Sequence, residues 1–266
     1  MIYICIPSYN EAPTIGLLLW KIRQVFAGFP REYHLLVLDD GSSDSTAEVL
    51  ERYTRVLPLT VTRHPSRRGY AESVEAILRQ AVQRTDRPKR DAAILMHADF
   101  THNPQFIPDL VRRIESGADI VIGQAKVEGE RSRTRRLVRR LAPVLLRGVV
   151  SVPGVSDVVS GFAIFRLVTL RNAFRSGTPP VLRTEGWAAN AELYGRSAKF
   201  ARRVETLATV ERHDLRQRSS RSGAWEPAMT VWKARGPLRH LVPPSLNEES
   251  RTSRDATPPQ AEVAPS

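Results

Sequence analysis

Short apolar runs alternate with amphipathic segments along the first 125 residues of the chain. The apolar runs cover residues 2–6, 33–38, 57–62, 92–96 and 120–122. Between them, apolar residues recur every three or four positions, as in Ile15, Leu18, Leu19 and Ile22. Strands that alternate with amphipathic helices are typical of βαβ units, which build a mostly parallel sheet with helices on both faces. The pattern therefore predicts an α/β fold.

Local signals place the ends of several of these elements. Ser45 or Thr46 is expected to open the second helix, and Gly69 precedes the third. A fourth helix is predicted over residues 105–114. The second half of the chain is predicted to add a strand ending at Arg166, a helix, a helix opened by residues 185–187 that runs through Leu193, and a strand over residues 204–210.

Polar clusters follow three of the predicted strands. They comprise residues 8–11, 39–41 and 97–99. In sheets of this kind, ligands bind in a crevice beyond the carboxyl ends of the strands. We therefore expect the three clusters to line one crevice.

The acidic side chains of these clusters suit nucleotide chemistry. A carboxylate at a strand tip, such as that of Asp40, accepts hydrogen bonds from the N3–H of a uracil, the amino groups of a guanine or ribose hydroxyls. Asp99, expected to close the fourth strand, is placed to hold Mg²⁺ or Mn²⁺ against a diphosphate. His97 is a better ligand for Mn²⁺ than for Mg²⁺. The alternatives are a structural His97, an Asp39 that holds a turn and an Asp44 that caps a helix.

The net charge and the cysteine content limit the binding partners and the kinds of site that the protein can have. The 266 residues carry 40 Lys and Arg against 28 Asp and Glu, a net charge of +12; five of the 40 are Lys, so 35 are Arg. This balance suits nucleic acid, an anionic membrane or a phosphorylated small molecule, or it reflects a composition that covers solvent faces with Arg. The single cysteine, Cys5, excludes an internal disulfide and a multi-cysteine metal site.

Two sequence features bear on location. No run of 18 apolar residues occurs, so no membrane-spanning helix is expected. The first ten residues lack a basic stretch, which predicts a strand rather than a secretory signal. We therefore expect a cytoplasmic protein, and the resemblance described below implies peripheral attachment at the inner face of the membrane.

Seven arginines crowd residues 131–147, with apolar residues at helical spacing between them. A basic amphipathic helix over residues 134–148 would lie on an anionic bilayer. The alternative is a surface helix packed on the sheet, and Pro143 interrupts the pattern. Residues 223–242, with Trp225 and Trp232, are expected to form an amphipathic interfacial segment, and the Pro- and Ser-rich residues 243–266 a disordered tail.

Five segments carry a resemblance to a known family. They read IPSYNEAPTI, VLDDGSSDST, HADFTHNPQFIPDLV, GADIVIG and SDVVSGFAIFR, in this order. Together they resemble family 2 glycosyltransferases of the GT-A fold, and among these the dolichol-phosphate mannose synthases and related polyprenyl-phosphate sugar transferases. The resemblance covers residues 1–222 and implies one GT-A domain there. It implies an inverting transfer of a sugar from a nucleoside-diphosphate sugar to a polyprenyl phosphate, with a divalent metal, Mg²⁺ or Mn²⁺, as cofactor.

The resemblance also assigns residues to roles. The nucleotide-sugar pocket falls on Pro7, Tyr9, Glu11, Leu38, Asp40 and Ala98, and the side chain two residues beyond the metal motif on Thr101. The metal motif falls on His97, Ala98 and Asp99, and Asp99, Arg166 and Arg212 are expected to be the catalytic set. The residues that the resemblance implies for binding the acceptor phosphate are Arg140, Arg212 and Arg221, with Arg218 as the alternative to Arg221.

His97 departs from the family pattern, which has Asp at that position. Three other functions stay open, of which His97 motivates the second. The first is a family 2 transferase that acts on the hydroxyl of a soluble acceptor, for which Glu185 is the candidate general base. The second is a catalytically weakened binder of nucleotide-sugars or phospholipids. The third, a nucleic-acid binder, has only the charge in its favour, and no nucleic-acid partner is expected.

Overall fold

The computed structural model describes residues 1–128, 150, 152, 154–155, 157–175, 177–212, 229 and 233. Seven strands lie within these residues: β1 (Ile2–Ser8), β2 (Tyr33–Asp39), β3 (Leu59–Arg63), β4 (Ala92–Leu95), β5 (Ile120–Glu128), β6 (Ala163–Arg166) and β7 (Val204–Arg212). The helices are α1 (Ala12–Gly28), α2 (Thr46–Thr54), α3 (Tyr70–Arg84), α4 (Ile107–Glu115), α5 (Leu167–Arg175) and α6 (Trp187–Ala198). A 3₁₀ turn, Pro104–Phe106, precedes α4.

The strands form one sheet in the order β3-β2-β1-β4-β6-β5-β7. All neighbours are parallel except those of β6, which runs antiparallel to β4 and β5. The prediction of an α/β fold with a mostly parallel sheet is confirmed. The fifth strand is longer than the predicted residues 120–122, because β5 pairs with β7 from Ile120 to Glu128.

Alternate residues of the central strands feed two apolar layers, because successive strand side chains point to opposite faces of a sheet. On β1, Tyr3 and Cys5 pack with α3, α5 and α6, whereas Ile4 and Ile6 pack with α1, α2 and α4. The sheet is therefore covered by helices on both faces, as βαβ connections require. Burial raises the pKa of the Cys5 thiol, which makes it a core residue rather than a reactive one.

The predicted helix over residues 105–114 is divided in the structure. The side chain of Asn103 accepts a hydrogen bond from the backbone N–H of Gln105 and starts the 3₁₀ turn, after which α4 begins at Ile107. The helix predicted after Gly69 begins at Tyr70, and the one opened by residues 185–187 begins at Trp187.

No helix among the described residues is long and apolar enough to cross a bilayer. The predicted basic helix over residues 134–148 and the tail over residues 243–266 lie outside the described residues. So does the interfacial segment 223–242, apart from Met229 and Lys233.

Candidate functional site

A crevice of about 240 Å³ opens beyond the carboxyl ends of β1, β2 and β4. Its lining includes Pro7, Tyr9, Glu11, Asp40, His97, Ala98 and Asp99, all of them predicted from the sequence. The remaining lining residues are Ser8, Arg67, Tyr70 and Ser73. The fold therefore brings the three polar clusters together, as the order of the strands requires.

Asp40 anchors the loop that leads into α3. One carboxylate oxygen, Oδ1, lies 2.8 Å from His64 Nδ1 and accepts a 2.8 Å hydrogen bond from the backbone N–H of Arg68. The other, Oδ2, accepts from the N–H of Gly69 at 2.9 Å. The carboxylate thus satisfies N–H groups at the start of α3, which have no partner within the helix. Gly69 suits this position because its φ of 104° is one that side chains with a Cβ disfavour.

Two neighbouring carboxylates hold the turn after β2. Asp39 Oδ1 accepts from the backbone N–H of Ser42 at 3.0 Å, and Arg63 lies 3.4 Å from its other oxygen. Asp44 accepts from the backbone N–H of Thr46 at 3.1 Å and from that of Ala12 at 3.3 Å. The turn alternative describes Asp39, whereas the N-cap of α2 is Ser45, so Asp44 precedes the cap and holds the backbone just before the helix.

The loop anchored by Asp40 brings a cation against an aromatic ring. The guanidinium of Arg67 lies 4.6 Å from the centre of the Tyr9 ring, and both residues line the crevice. Sequence reasoning missed Arg67, because one arginine among 35 in an irregular loop gives no pattern. The signal that was available is its place two residues before Gly69.

Tyr70 joins three elements at the floor of the crevice. Its hydroxyl donates to Asn190 Oδ1 on α6 at 3.0 Å and lies 3.1 Å from His97 Nε2. Burial raises the pKa of Tyr70, and the charges of Asp99 and Glu185 raise it further, so the hydroxyl stays protonated. A Cβ on Gly161 would overlap the His97 imidazole, so the ring fills the space beside that glycine.

Asp99 lies in the turn after β4, not within the strand. The prediction that it closes the strand is wrong, because β4 ends at Leu95 and the chain then turns through Phe100, whose φ is 61°. Asp99 is buried and accepts from the backbone N–H of Thr101 at 3.0 Å. Nearby, the hydroxyls of Ser8 and Thr101 are buried without a hydrogen-bond partner among the described residues, and Ser8 lines the crevice.

The crevice fits a divalent cation only in part. No group of three His, Cys, Asp or Glu side chains within the described residues is arranged to hold one. Mg²⁺ is, however, often held by one or two carboxylates together with the oxygens of substrate phosphates. Asp99 supplies such a carboxylate, while His97 Nε2 already contacts the Tyr70 hydroxyl. A cation bound jointly with a diphosphate suits this donor set.

The structure contradicts the prediction that Arg166 contacts a phosphate. Arg166 ends β6, which runs antiparallel, so it lies beside Ala92 at the start of β4 and away from the crevice. There it pairs with Asp119 at 3.0 Å and donates to the backbone carbonyls of Lys89, Ile114 and Ala118. These contacts tie the ends of neighbouring elements together.

The other predicted site residues either lie outside the crevice lining or have side chains that the structure does not describe. Leu38 is packed in the core layer beneath α3 and is not among the residues that line the crevice. Glu185 is exposed, and its Oε2 accepts from the backbone N–H of Ala71 at 3.3 Å, at the start of α3. Arg140, Arg218 and Arg221 lie outside the described residues. Arg212 ends β7, and its side chain is not described.

A second cavity of about 530 Å³ lies between α1 and α4. Val25, Phe29, Phe100, Gln105 and Arg112 are among its lining residues, and none of the predicted site residues is. It is larger than the crevice but lacks carboxylates, so its chemistry does not match the predicted nucleotide site.

Comparison by sequence finds relatives of named function. A Pyrococcus furiosus dolichol-phosphate mannosyltransferase is 29% identical over 168 residues, which is 61% of this chain and 45% of that protein. A Mycolicibacterium smegmatis polyprenol monophosphomannose synthase is 27% identical over 169 residues, 61% of this chain and 60% of that protein. The chain thus spans about half the length of these relatives.

Solved structures share the fold at lower identity. Mycobacterium tuberculosis glucosyl-3-phosphoglycerate synthase, in complex with Mn²⁺, UDP-glucose and phosphoglyceric acid, is 18% identical with a TM-score of 0.59, covering 89% of this chain and 80% of that one. S. aureus TarS with UDP-GlcNAc is 19% identical with a TM-score of 0.57, covering 85% of this chain and 60% of that one. These likenesses show the GT-A fold.

The family follows from the match over the first two thirds of the chain. The profile of Glycosyl transferase family 2 matches residues 3–174, a stretch that includes every crevice residue. Because this match covers more than half of the sequence, the chain belongs to glycosyl transferase family 2.

Proposed function

We propose that this protein is a glycosyltransferase that moves a sugar from a nucleoside-diphosphate sugar to a polyprenyl phosphate. The observation that carries the proposal is the crevice beyond three parallel strands, which unites carboxylates, an Arg–Tyr pair and the buried Ser8 hydroxyl, which has no hydrogen-bond partner among the described residues. The acceptor class is supported by sequence relatives, including the undecaprenyl-phosphate 4-deoxy-4-formamido-L-arabinose transferase of Photorhabdus laumondii, which is 30% identical over 123 residues. That match covers 44% of this chain and 35% of that protein.

The nucleoside is proposed to lie at the end of the crevice formed by Tyr9 and Arg67. The Arg67 guanidinium lies over the Tyr9 ring and offers a surface for a base, and Glu11 also lines the crevice. Asp40 holds the backbone of the loop that carries Arg67, through its bonds to Arg68 and Gly69. The donor pocket therefore depends on Asp40 even where that carboxylate does not itself contact the base.

The diphosphate is proposed to lie beside Asp99. A divalent cation held there by Asp99, with His97 as a further ligand, would offset the negative charge of the leaving nucleoside diphosphate. The Ser8 hydroxyl, buried in the lining without a partner among the described residues, is placed to donate to an oxygen of the donor. Tyr70 fixes the His97 ring through its hydroxyl.

The acceptor phosphate needs no general base, because it is already ionised when it attacks the anomeric carbon. Its oxygen forms the new bond as the bond to the nucleoside diphosphate breaks, which inverts the anomeric configuration. Arg140, Arg212 and Arg221 are proposed to collect this phosphate. Arg166 has no part in the proposal, because it lies beside the first residue of β4, at the end of that strand opposite the crevice.

The proposed acceptor also bears on where in the cell the protein acts. A polyprenyl chain resides in the bilayer, so we propose a cytoplasmic enzyme attached at the inner face of the membrane. In this arrangement residues 1–222 form the GT-A domain, residues 223–242 an interfacial segment and residues 243–266 a disordered tail.

A second function is favoured by one observation, the placement of Glu185. Its carboxylate lies at the start of α3, near the Tyr70 side chain that lines the crevice. A carboxylate repels an ionised phosphate but suits a hydroxyl, whose proton it can accept during attack. A transferase that uses an alcohol acceptor would therefore use Glu185 as its base.

The test is a transfer assay on the full chain with UDP- and GDP-sugars, each offered with a short-chain polyprenyl phosphate or with soluble alcohols. Mass spectrometry identifies the product, and NMR of the anomeric proton reports its configuration. An inverted glycosyl polyprenyl phosphate supports the proposal. Transfer to alcohols alone, abolished by Glu185→Gln, would establish the second function instead.

A further inference from the structure

Residues 181–184 connect α5 to α6, and we name them the strap. The strap is held to α3 by a buried carboxylate: Glu75 Oε2 accepts from the backbone N–H of Val181 at 2.7 Å and from that of Leu182 at 2.8 Å. Its other oxygen, Oε1, accepts from Arg79 on the next turn of the helix at 2.8 Å. Glu75 is 4% exposed, so these bonds are made away from water.

Glu192 of α6 repeats this arrangement on the next two residues of the strap. Its Oε2 accepts from the backbone N–H groups of Arg183 at 2.8 Å and Thr184 at 3.0 Å, and from the Thr184 hydroxyl at 2.9 Å. Its Oε1 accepts from Arg196, one turn further along α6. Four consecutive N–H groups of the strap therefore end on two buried carboxylates, each balanced by an arginine on its own helix.

The strap leads directly to Glu185. Gly186, whose φ of 57° favours glycine, then turns the chain into α6. Glu185 Oε2 accepts from the N–H of Ala71, which lies in the first turn of α3 and has no acceptor within the helix. Its Oε1 lies beside Gly69, whose N–H is bonded to Asp40. The Glu185 carboxylate thus lies at the start of α3, near Tyr70, which lines the crevice.

We propose that Glu75 and Glu192 are positioning residues, which hold the strap and thereby place the Glu185 carboxylate at the start of α3. A loop whose N–H groups are all bonded to buried carboxylates has little freedom to shift, so the residue that follows it occupies one position. The kinetic consequence rests on the second function proposed above, transfer to an alcohol with Glu185 as the base, since transfer to a polyprenyl phosphate gives Glu185 no role. The structural consequence does not.

Amide exchange of the full chain, followed residue by residue by NMR, tests the placement without any substrate. Glu185→Ala gives the exchange rate of the Ala71 amide when its acceptor is lost. We expect Glu192→Gln to speed exchange at residues 183–184 and also at Ala71, towards the Glu185→Ala rate. If Glu192→Gln does not fold, Thr184→Val serves in its place. It removes only the hydroxyl donor to Glu192, so we expect the same effect in weaker form. Glu72→Gln is the matched control, because Glu72 pairs with Arg68 on the surface of α3 and does not touch the strap.

Two results would overturn the placement. One is faster exchange in the strap with Ala71 exchanging as in the parent protein, since Glu185 would then hold its place alone. The other is unchanged exchange in the strap, since the carboxylates would then not hold it.

A double-mutant cycle tests whether the positioning of Glu185 affects catalysis. Glu192→Gln is expected to lower kcat/KM for transfer to an alcohol acceptor roughly ten-fold in the parent background and to change it little in the Glu185→Gln background. Equal losses in both backgrounds would mean a general structural role and overturn the positioning role. Nucleotide affinity should be kept in either case. If no sugar is transferred by the parent protein, the proposed function fails, whereas the exchange result still decides whether the strap places Glu185.

Discussion

Asp40 and Asp99 follow β2 and β4, the two strands that flank β1, and line the same crevice, yet their surroundings give them different tasks. Asp40 is surrounded by donors from the protein itself, His64 and the N–H groups of Arg68 and Gly69. Asp99 accepts a hydrogen bond from the backbone N–H of Thr101, in the turn that borders the crevice. The sequence assigned Asp40 to the nucleotide and Asp99 to a metal, but it did not predict that Asp40 also anchors the loop after β3.

Asparagine substitutions should separate these tasks. Asp99→Asn keeps an oxygen for Thr101, so we expect an intact fold and a fall in rate on the order of 10²–10⁴ through loss of the carboxylate's charge. Asp40→Asn turns an amide N–H₂ towards N–H donors, so the free energy of unfolding should also fall by about 1–3 kcal/mol. Thermal unfolding beside transfer kinetics measures both. A folded Asp99→Asn protein with parental turnover would contradict the assignment.

His97 yields a prediction about the metal. If it stands where the family has Asp, nucleotide binding measured by calorimetry should be tighter with Mn²⁺ than with Mg²⁺, because imidazole is a poor Mg²⁺ ligand. His97→Asp should move the preference towards Mg²⁺. Equal affinity in the presence of EDTA would show that no cation takes part in binding.

Single residues were predictable where a motif fixes their place at a strand end. Pro7, Tyr9 and Glu11 follow from β1 in this way, and the structure brings them to the crevice. Arg67 was not, since its position depends on three hydrogen bonds made by Asp40 to a loop of irregular sequence.

Among the elements, the turn around Gly161 and the turn after β4 are fitted to each other. The His97 ring occupies the space that a Cβ on Gly161 would need. Gly161→Ala should therefore lower the free energy of unfolding by about 1–3 kcal/mol, as overpacking does. The added variant His97→Ala should restore most of that loss. Denaturant unfolding of the single and double variants measures both effects.

A matched control for that experiment is Gly177→Ala, whose new Cβ would meet Val181 Cγ2 at an ordinary 3.5 Å. Its unfolding free energy should stay within about 0.5 kcal/mol of the parent. If Gly161→Ala were equally harmless, the close fit between the two turns would be disproved.

Element types were predictable from hydrophobic periodicity, but the direction of β6 was not. A strand of four residues reads the same in either direction, and the pairing with β4 and β5 that sets it is non-local. That direction decides the place of Arg166, which a motif alone put at the phosphate. A residue carried over by motif keeps its role only if its strand points the expected way.

At the scale of the whole molecule, the net charge of +12 predicts attraction to anionic membranes. Each Arg near such a surface contributes about 1 kcal/mol at low salt, and this fades as the Debye length shrinks. The protein should sediment with anionic liposomes at low salt and be released near molar salt. Changing Arg135, Arg136, Arg139 and Arg140 to Gln should weaken both liposome binding and use of a lipid acceptor.

Arg212→Ala is the control for the charge prediction, since Arg212 is assigned to a phosphate and not to the bilayer. It should lose transfer and keep liposome binding. Parental binding by the quadruple variant would mean that residues 134–148 form an ordinary packed element.

The central claim is that the crevice, and not the larger cavity between α1 and α4, holds a nucleoside-diphosphate sugar. Hydrogen exchange of the full chain with and without saturating UDP- or GDP-sugar tests it directly. The account predicts added protection in segments 7–11, 64–73 and 96–101, which carry the crevice residues. Protection confined to α1 and α4, around Val25 and Arg112, or no protection with any donor, would contradict it.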